Sequence, residues 1–296
     1  MRLLLITPAR DEAEHLPAVL ASLAAQTRPP DEWVVVDDGS TDATSELLAR
    51  ACAEIPFLRV VQTPAGFTAA RRDRLAAAAA PRAFNHGLRA ARLRDDFDFV
   101  GKLDADTELP PRYFESLLER VAADPGLGIA GGVRHECAGD GTWHVLAIPA
   151  DHVPGALKLY RRACFEAIGG MEELLGWDAI DETRARMTGW RTRSFDDLVA
   201  LHHRAWGTAD GRLRGRVRYG RSSWAAGQSA WWVVAKSGKV ALTMRPRGLS
   251  GAAYAWGYAA ARARRLPRVQ DEAYLRHVRR EHRQRALRAA RRRPVA

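Results

Sequence analysis

The chain has 296 residues, of which 47% are hydrophobic and 27% are charged, as expected for a soluble globular protein with one large core or two smaller ones. No run of about 18 apolar residues occurs, so the sequence predicts no transmembrane span. The net charge is +11, and residues 262–296 alone carry 13 Arg and three acidic residues. Because residues 1–261 are nearly neutral, we expect no nucleic-acid binding by the main part of the chain. The basic residues 262–296 either contact an anionic membrane or form a basic helix that is only solvated.

The first residues and the cysteines predict a cytosolic location. A strand-like segment, residues 3–6, lies where a secretory signal would need a longer apolar region, so we expect no signal peptide. Cys52, Cys137 and Cys164 are odd in number and widely spaced, which predicts reduced thiols in or near the core. We therefore expect a cytoplasmic protein, either free or peripheral on the inner face of a membrane.

The first 135 residues alternate between strand-like and helix-like patterns. Strands are predicted for residues 3–7, 33–37, 57–62 and 97–103, and helices for residues 11–25, 42–53, 69–80, 83–92 and 111–123, with a break at Pro81. This alternation predicts an α/β fold, a parallel sheet with helices on both faces. The pattern loosens after residue 126, and Arg, Ala, Trp and Tyr dominate after His203. We expect a domain of residues 1–205 followed by a helical, basic, Trp-rich extension of residues 206–296.

An acidic pair follows the fourth predicted strand, where the apolar run 97–103 ends in Asp104-Ala105-Asp106. Ligands of open α/β sheets bind beyond the carboxyl ends of the strands. Two carboxylates held together repel each other unless a cation lies between them, and carboxylate oxygens are the usual ligands of Mg²⁺ or Mn²⁺. Asp104 and Asp106 are therefore either a divalent-metal site or the acids of a solvated turn.

A second acidic cluster, residues 37–42, follows the second strand. Its Gly turn and Ser/Thr cap are ordinary loop chemistry, but two adjacent Asp exceed what a turn needs, so Asp38 could bind a base or a ribose. The loop of residues 7–12 adds Arg10 at the same edge. Residues 66–71 open a helix whose first amides and Arg71 could hold a phosphate. The alternative is that these residues only form turns and helix caps.

The segments 7–12, 36–42 and 103–106 resemble, in order and spacing, the family 2 inverting glycosyltransferases of GT-A fold, and the resemblance continues to about residue 204. It implies a Rossmann-like, mostly parallel sheet and a nucleotide-sugar donor bound with Mg²⁺ or Mn²⁺. The residues that we expect to bind the donor are Pro8, Ala9, Arg10, Glu12, Asp38, Arg71, Asp104 and Gly155. The expected metal ligands are Asp104, Asp106 and His203, with the neighbouring His202 as the other candidate.

The resemblance also places the catalytic base within residues 176–182. The family often has a Glu-Asp pair there, whereas here Trp177 precedes Asp178. Aligning Gly189-Trp190 with the usual Gly-aromatic pair places Asp178 at the base, and Asp181 is the alternative one helical turn later. Asp178 could also serve as a helix N-cap.

The sequence thus predicts inverting transfer of a sugar from a UDP- or GDP-sugar to an acceptor hydroxyl, on a saccharide or a lipid-linked saccharide. A catalytically degenerate GT-A-like scaffold, docked on an anionic membrane through its basic tail, is the alternative. A nucleotidylyltransferase is disfavoured because residues 7–12 contain no glycine. The Trp-rich extension predicts either membrane-interface helices or packing against the first domain.

Overall fold

The computed structural model describes residues 1–64, 66–67, 78–137, 142–145, 148–203 and 211–291, which group into two compact units. The sheet unit contains Met1–Glu173 and Thr188–Trp206, and the helical unit contains Leu174–Met187 and Gly207–Ala296. The sequence assigns residues 174–187 to the first domain, whereas their contacts group them with the helical unit.

The described part of the sheet unit contains nine strands in one sheet. The strands are β1 (Leu3–Ala9), β2 (Glu32–Asp37), β3 (Leu58–Gln62), β4 (Phe99–Leu103), β5 (Thr107–Glu108), β6 (Leu127–Cys137), β7 (Trp143–Val145), β8 (Leu157–Arg161) and β9 (Arg191–His202). Their order is β3-β2-β1-β4-β8-β6-β9-β5, with β7 paired to β6. Parallel pairing joins β3, β2, β1 and β4, and also β6 with β9, whereas β8 is antiparallel to both of its neighbours.

Helices cover both faces of this sheet. The sheet unit has α1 (Leu16–Ala24), α2 (Thr44–Glu54), α3 (Ala79–Ala90), α4 (Tyr113–Ala123) and α5 (Arg162–Ala167). Leu5 and Val35 face the cluster that contains Leu16 of α1 and Leu117 of α4. Because side chains alternate along a strand, the next residues face the other way. There, Gly87 of α3 lies so close to the sheet that a Cβ would come within 2.6 Å of the Val36 side chain.

The structure corrects three predicted details in this unit. The first helix begins at Leu16 rather than at residue 11, because Asp11 has a φ of 52° that no helical residue adopts. Pro81 does not break a helix; it lies in the first turn of α3, where a missing N–H costs nothing. Cys52 is exposed on α2, so its predicted place near the core is wrong. Most of the helix predicted for residues 69–80 lies outside the described residues.

The helical unit is built from α6 (Trp177–Met187), α7 (Arg212–Ala225), α8 (Ala230–Thr243), α9 (Leu249–Ala263) and α10 (Glu272–Arg291). Glycines allow α7 and α9 to pack closely, since a Cβ on Gly220 would lie 2.0 Å from the Tyr254 carbonyl oxygen. A separate cluster joins Ile180 of α6 to Tyr274 and Val278 of α10. Among the helices that the structure describes, none is both long and apolar enough to cross a bilayer.

We expect Gly132→Ala to be strongly destabilising. A Cβ at this position of β6 would lie 1.9 Å from the carbonyl oxygen of Leu198 in β9, and a backbone oxygen cannot move aside as a side chain can. Overpacking typically costs about 1–3 kcal/mol of the free energy of unfolding, and we expect the upper end of that range at this backbone contact. Urea unfolding measures the loss of stability.

The control is Gly238→Ala on α8, where a Cβ meets nothing within 4 Å. There we expect the free energy of unfolding to rise by roughly 0.5 kcal/mol. Equal stability of the two variants would contradict the packing described for β6 and β9.

Candidate active site

Polar residues collect where the parallel strands β1, β2 and β4 end. Ala9 at the end of β1 is in register with Asp37 at the end of β2, and Ile6 is in register with Lys102 on β4. The strands before these ends are almost wholly apolar and buried, as is typical of a parallel sheet covered on both faces. The polar residues that follow these strands therefore lie together at the carboxyl edge of the sheet, where open α/β sheets bind their ligands.

Asp104, Asp106 and His202 form a cluster at this edge. Each offers a ligand atom, and these atoms all lie within 4.8 Å of one another. Asp106 and His202 are buried, Asp104 is half-buried, and Nε2 of His202 lies 3.4 Å from Oδ1 of Asp106. Two carboxylates and one imidazole are a donor set suited to a divalent ion such as Mn²⁺. The side chains present therefore fit the metal that the sequence predicts.

Backbone hydrogen bonds hold the three residues of this cluster in place. The amide of Thr107 donates to the carbonyl of Asp104 at 3.2 Å, which closes a tight turn after β4. The short strand β5 then pairs with the end of β9, with Thr107 opposite His202. The amide of His203 donates to the carbonyl of Asp106 at 3.0 Å. These bonds place the end of β9 beside the acidic turn, although the two segments are far apart in the sequence.

The histidine in the cluster is His202, whereas the sequence favours His203. Successive residues of a strand point to opposite faces, so only one of the two can face Asp106. The His203 ring lies 3.2 Å from Oε2 of Glu108 and stacks on the His15 ring, with 5.5 Å between the centroids. The structure therefore replaces His203 by His202 as the candidate ligand.

Lys102 fixes the position of Asp104, a role that was not predicted from the sequence. The Lys102 side chain is 2% exposed, forms an ion pair with Asp104, and donates to the carbonyl of Gly155 at 2.8 Å. The amide of Asp104 donates to the carbonyl of Ala156 at 2.9 Å. The loop that contains Gly155, predicted to bind the donor, thus adjoins the cluster through Lys102 and Asp104. A lysine two residues before the acidic pair, on the same strand, is the signal that could have indicated this role.

Asp38 and Asp37 have different surroundings at the end of β2. Asp37 accepts the Ser40 amide at 2.9 Å and the Ser45 hydroxyl at 2.5 Å, so it shapes the loop that leads into α2. Asp38 is buried, its amide donates to the carbonyl of Ala9 at 2.8 Å, and its Oδ1 accepts the Thr63 hydroxyl at 3.0 Å. Asp38 therefore lies between the ends of β1 and β3, which is the place the sequence predicts for a nucleotide-binding carboxylate.

The loop after β1 is held against the loop after β2. Oδ1 of Asp11 accepts the Thr41 amide at 2.7 Å, and the amide of Glu12 donates to the Thr44 hydroxyl at 2.8 Å. Burial alone would raise the pKa of Asp11, but the hydrogen bonds from Thr41 outweigh it and lower the pKa below its ordinary value. Nε of Arg10 lies 3.8 Å from Asp11. The predicted donor residues Pro8, Ala9, Arg10 and Glu12 thus share one sheet edge with Asp38, and Arg71 lies outside the described residues.

The two candidate bases lie on α6, in the helical unit. Asp178 is half-buried in the first turn of the helix. Asp181 is 2% exposed, and its Oδ1 accepts the amide of Glu182 at 2.6 Å. Burial raises the pKa of the neighbouring Tyr274 phenol, and the charge of Asp181 contributes to the rise. Within this unit, Asp178 is the more accessible of the two carboxylates.

The sheet, with its acidic edge, has the GT-A type of α/β fold. The family model "Glycosyl transferase family 2" matches residues 4–169, and the chain therefore belongs to glycosyl transferase family 2. It is similar to the succinoglycan biosynthesis protein ExoA of Rhizobium meliloti (strain 1021), with 26% identity over 228 residues that cover 68% of this chain and 62% of ExoA. This chain thus spans less than two thirds of the length of that relative.

Two solved structures share the fold. The mannosyltransferase PcManGT from Pyrobaculum calidifontis, in complex with GDP-Man and Mn²⁺, has a TM-score of 0.56 and 22% identity, over 88% of this chain and 73% of that one. Residues 1–349 of S. aureus TarS, in complex with UDP-GlcNAc, have a TM-score of 0.54 and 17% identity, over 75% of this chain and 66% of that one. At these identities the likeness concerns the fold, and it confirms the predicted GT-A class.

We expect the two adjacent histidines to respond differently to substitution. His202→Ala should weaken Mn²⁺ binding at least about tenfold, because even the loss of a group behind a metal ligand costs that much affinity. His203→Ala removes the contact with Glu108 but no atom of the cluster, so it serves as the matched control. Titration calorimetry with Mn²⁺ in the presence of UDP or GDP measures both variants. Equal losses in the two variants would show that the cluster is not the metal site.

Proposed function

We propose that this chain is a metal-dependent, inverting glycosyltransferase that moves a sugar from a UDP- or GDP-sugar to an acceptor hydroxyl. The observation that carries the proposal is the cluster of Asp104, Asp106 and His202 at the carboxyl ends of the parallel strands. Solved structures of the same fold hold GDP-Man with Mn²⁺ or UDP-GlcNAc, which supports this donor class without choosing between the two nucleotides.

We propose that the cluster of Asp104, Asp106 and His202 binds the donor diphosphate through a metal ion. Asp104, Asp106 and His202 would hold Mg²⁺ or Mn²⁺, and a bound ion neutralises charge that develops on the leaving diphosphate. Lys102 adds a fixed positive charge behind Asp104. Asp38, at the ends of β1 and β2, would accept hydrogen bonds from the base or the ribose, and Arg10 would contribute a cation at the same edge.

The proposed base is a single carboxylate, Asp178. An acceptor hydroxyl has a pKa far above neutrality, so a carboxylate within hydrogen-bond reach must take its proton during the attack on the anomeric carbon. Attack by one acceptor from the side opposite the leaving group inverts the configuration and needs no covalent sugar–enzyme intermediate. Asp181 is disfavoured because it is buried and already bonded within α6. The similarity to a succinoglycan biosynthesis protein supports a saccharide, free or lipid-linked, as the acceptor class.

Thermal stabilisation tests the donor proposal. The full chain is heated with UDP-, GDP- and dTDP-sugars, each with and without Mn²⁺. A ligand at about 100 times its dissociation constant adds about 2.7 kcal/mol to the free energy of unfolding, which gives a readily measured shift of the melting temperature. Stabilisation by a UDP- or GDP-sugar only in the presence of Mn²⁺ is the expected result. No stabilisation by any donor would favour the degenerate scaffold instead.

A further inference from the structure

We propose that the α8–α9 pair is a docking surface for an anionic lipid bilayer. This goes beyond the proposed transferase activity and does not depend on it. The observation is an exposed apolar face on each helix: Trp231, Val234 and Leu242 on α8 are 46%, 69% and 76% exposed, and Leu249 and Trp256 on α9 are 60% and 66% exposed. Large exposed apolar surface on a folded domain marks an interaction site.

The exposed residues follow the helical repeat. On α8, exposed positions recur at Trp231, Val234, Gly238 and Leu242, at steps of three and four residues that define one face. Lys239 also lies on that face, whereas Val233 and Val240 are buried on the other.

The exposed face of α9 is apolar as well. Leu249, Ala252, Trp256 and Ala259 are exposed at the same helical spacing, and Tyr254 is fully buried on the inner side. The two helices are immediate neighbours, because a Cβ on Gly251 of α9 would lie 2.5 Å from the Ser237 carbonyl oxygen of α8. A soluble helix normally turns its polar face to water, and both of these helices expose apolar side chains instead.

Part of the Trp-rich segment packs inside the helical unit, and that part takes no role in the surface. The indole N–H of Trp224 donates to the carbonyl of Leu266 at 2.9 Å, and Trp232 stacks on the His282 ring with 4.7 Å between centroids. Trp224 and Trp232 therefore pack within the helical unit itself, rather than against the sheet unit. Trp231 and Trp256 remain exposed, and indole rings are the side chains that favour the headgroup level of a membrane.

The charge around this face identifies the occupant. Residues 230–263, from the start of α8 to the end of α9, contain five Lys or Arg and no acidic residue. Arg245 and Arg247, between α8 and α9, are exposed, as is Lys239 on α8. Each Lys or Arg near an anionic surface strengthens binding to that surface. A second copy of the chain would bring cations against cations, so an anionic bilayer fits this face better than self-association does.

Vesicle flotation tests the proposal. The full chain is mixed with phosphatidylcholine vesicles that contain about 30% phosphatidylglycerol or none. We expect binding to the anionic vesicles only, and at least about tenfold weaker binding for the double variant Trp231→Ser, Trp256→Ser, because apolar insertion and charge act together. Leu287→Ser, another exposed apolar position but on α10, is the matched control and should bind like the unaltered chain. Unchanged circular-dichroism melting verifies that each variant is folded.

A second comparison separates this face from the basic helix α10. Arg245→Gln with Arg247→Gln should weaken vesicle binding more than Arg279→Gln with Arg283→Gln, which removes the same charge from exposed positions of α10. The proposal is overturned if the α10 pair alone carries the binding, or if the unaltered chain binds no anionic vesicle. It is also overturned if sedimentation shows self-association that the double Trp variant abolishes while vesicle binding persists.

Discussion

Asp106→Asn is expected to abolish Mn²⁺-dependent nucleotide binding and to reduce sugar transfer by roughly 10³-fold or more. A metal ion supplies several kcal/mol of charge stabilisation to a leaving diphosphate, and each 1.36 kcal/mol corresponds to about tenfold in rate. Asp106 is buried within the cluster, and the amide that replaces it has nearly the same shape. The fold should therefore persist, since removal of one of two neighbouring carboxylates also removes their repulsion.

The matched control for Asp106→Asn is Asp197→Asn. Asp197 lies on the surface and pairs with Arg120, and an exposed pair contributes no more than about 1 kcal/mol to the free energy of unfolding. Titration calorimetry with Mn²⁺ and nucleotide, together with a product assay, compares the two variants. Normal Mn²⁺-dependent turnover by the Asp106 variant would overturn the metal assignment.

Asp178→Asn should give the second large effect, of a different kind. Loss of a general base costs roughly 10²- to 10⁴-fold in turnover. Because Asp178 is not part of the cluster of Asp104, Asp106 and His202, the variant should still bind donor and Mn²⁺ like the unaltered chain. Single-turnover transfer and donor binding are measured on the same preparation, so that a loss of chemistry is distinguished from a loss of binding.

Asp181→Asn is the comparison that separates the two acidic positions of α6. Its carboxylate is buried and accepts a backbone amide, so we expect a lower melting temperature and a smaller loss of turnover than at Asp178. The opposite pattern, a stable Asp181 variant without turnover beside an active Asp178 variant, would assign the base to Asp181.

The sheet edge was predictable because buried parallel strands are apolar along most of their length. The runs before Asp37 and Asp104 end abruptly in acids, so strand ends and candidate ligands could be located from the sequence together. The choice between His202 and His203 could not be predicted from the sequence. It depends on the register of β9 against β5, a contact between residues some 95 positions apart. A shift of one residue in register exchanges the faces of a strand.

Local backbone geometry accounts for other differences. The residues before α1 have a helical pattern, but the positive φ of Asp11 and its bonds to Thr41 keep them in a loop. Pro81 resembled a helix break because a proline in the first turn and one in the interior have the same local sequence signal. The antiparallel strand β8 has only a weak strand pattern in the sequence, because its place in the sheet depends on pairing with β4 and β6.

The most direct test of the metal-dependent donor site is pulsed electron paramagnetic resonance of the chain with Mn²⁺ and either UDP or GDP. A ³¹P coupling shows that the ion touches the diphosphate, and a ¹⁴N coupling shows an imidazole ligand. We predict both couplings in the unaltered chain and in His203→Ala, and loss of the ¹⁴N coupling in His202→Ala. A ¹⁴N coupling that survives in His202→Ala, or a bound ion with no ³¹P coupling to either nucleotide, would contradict the account.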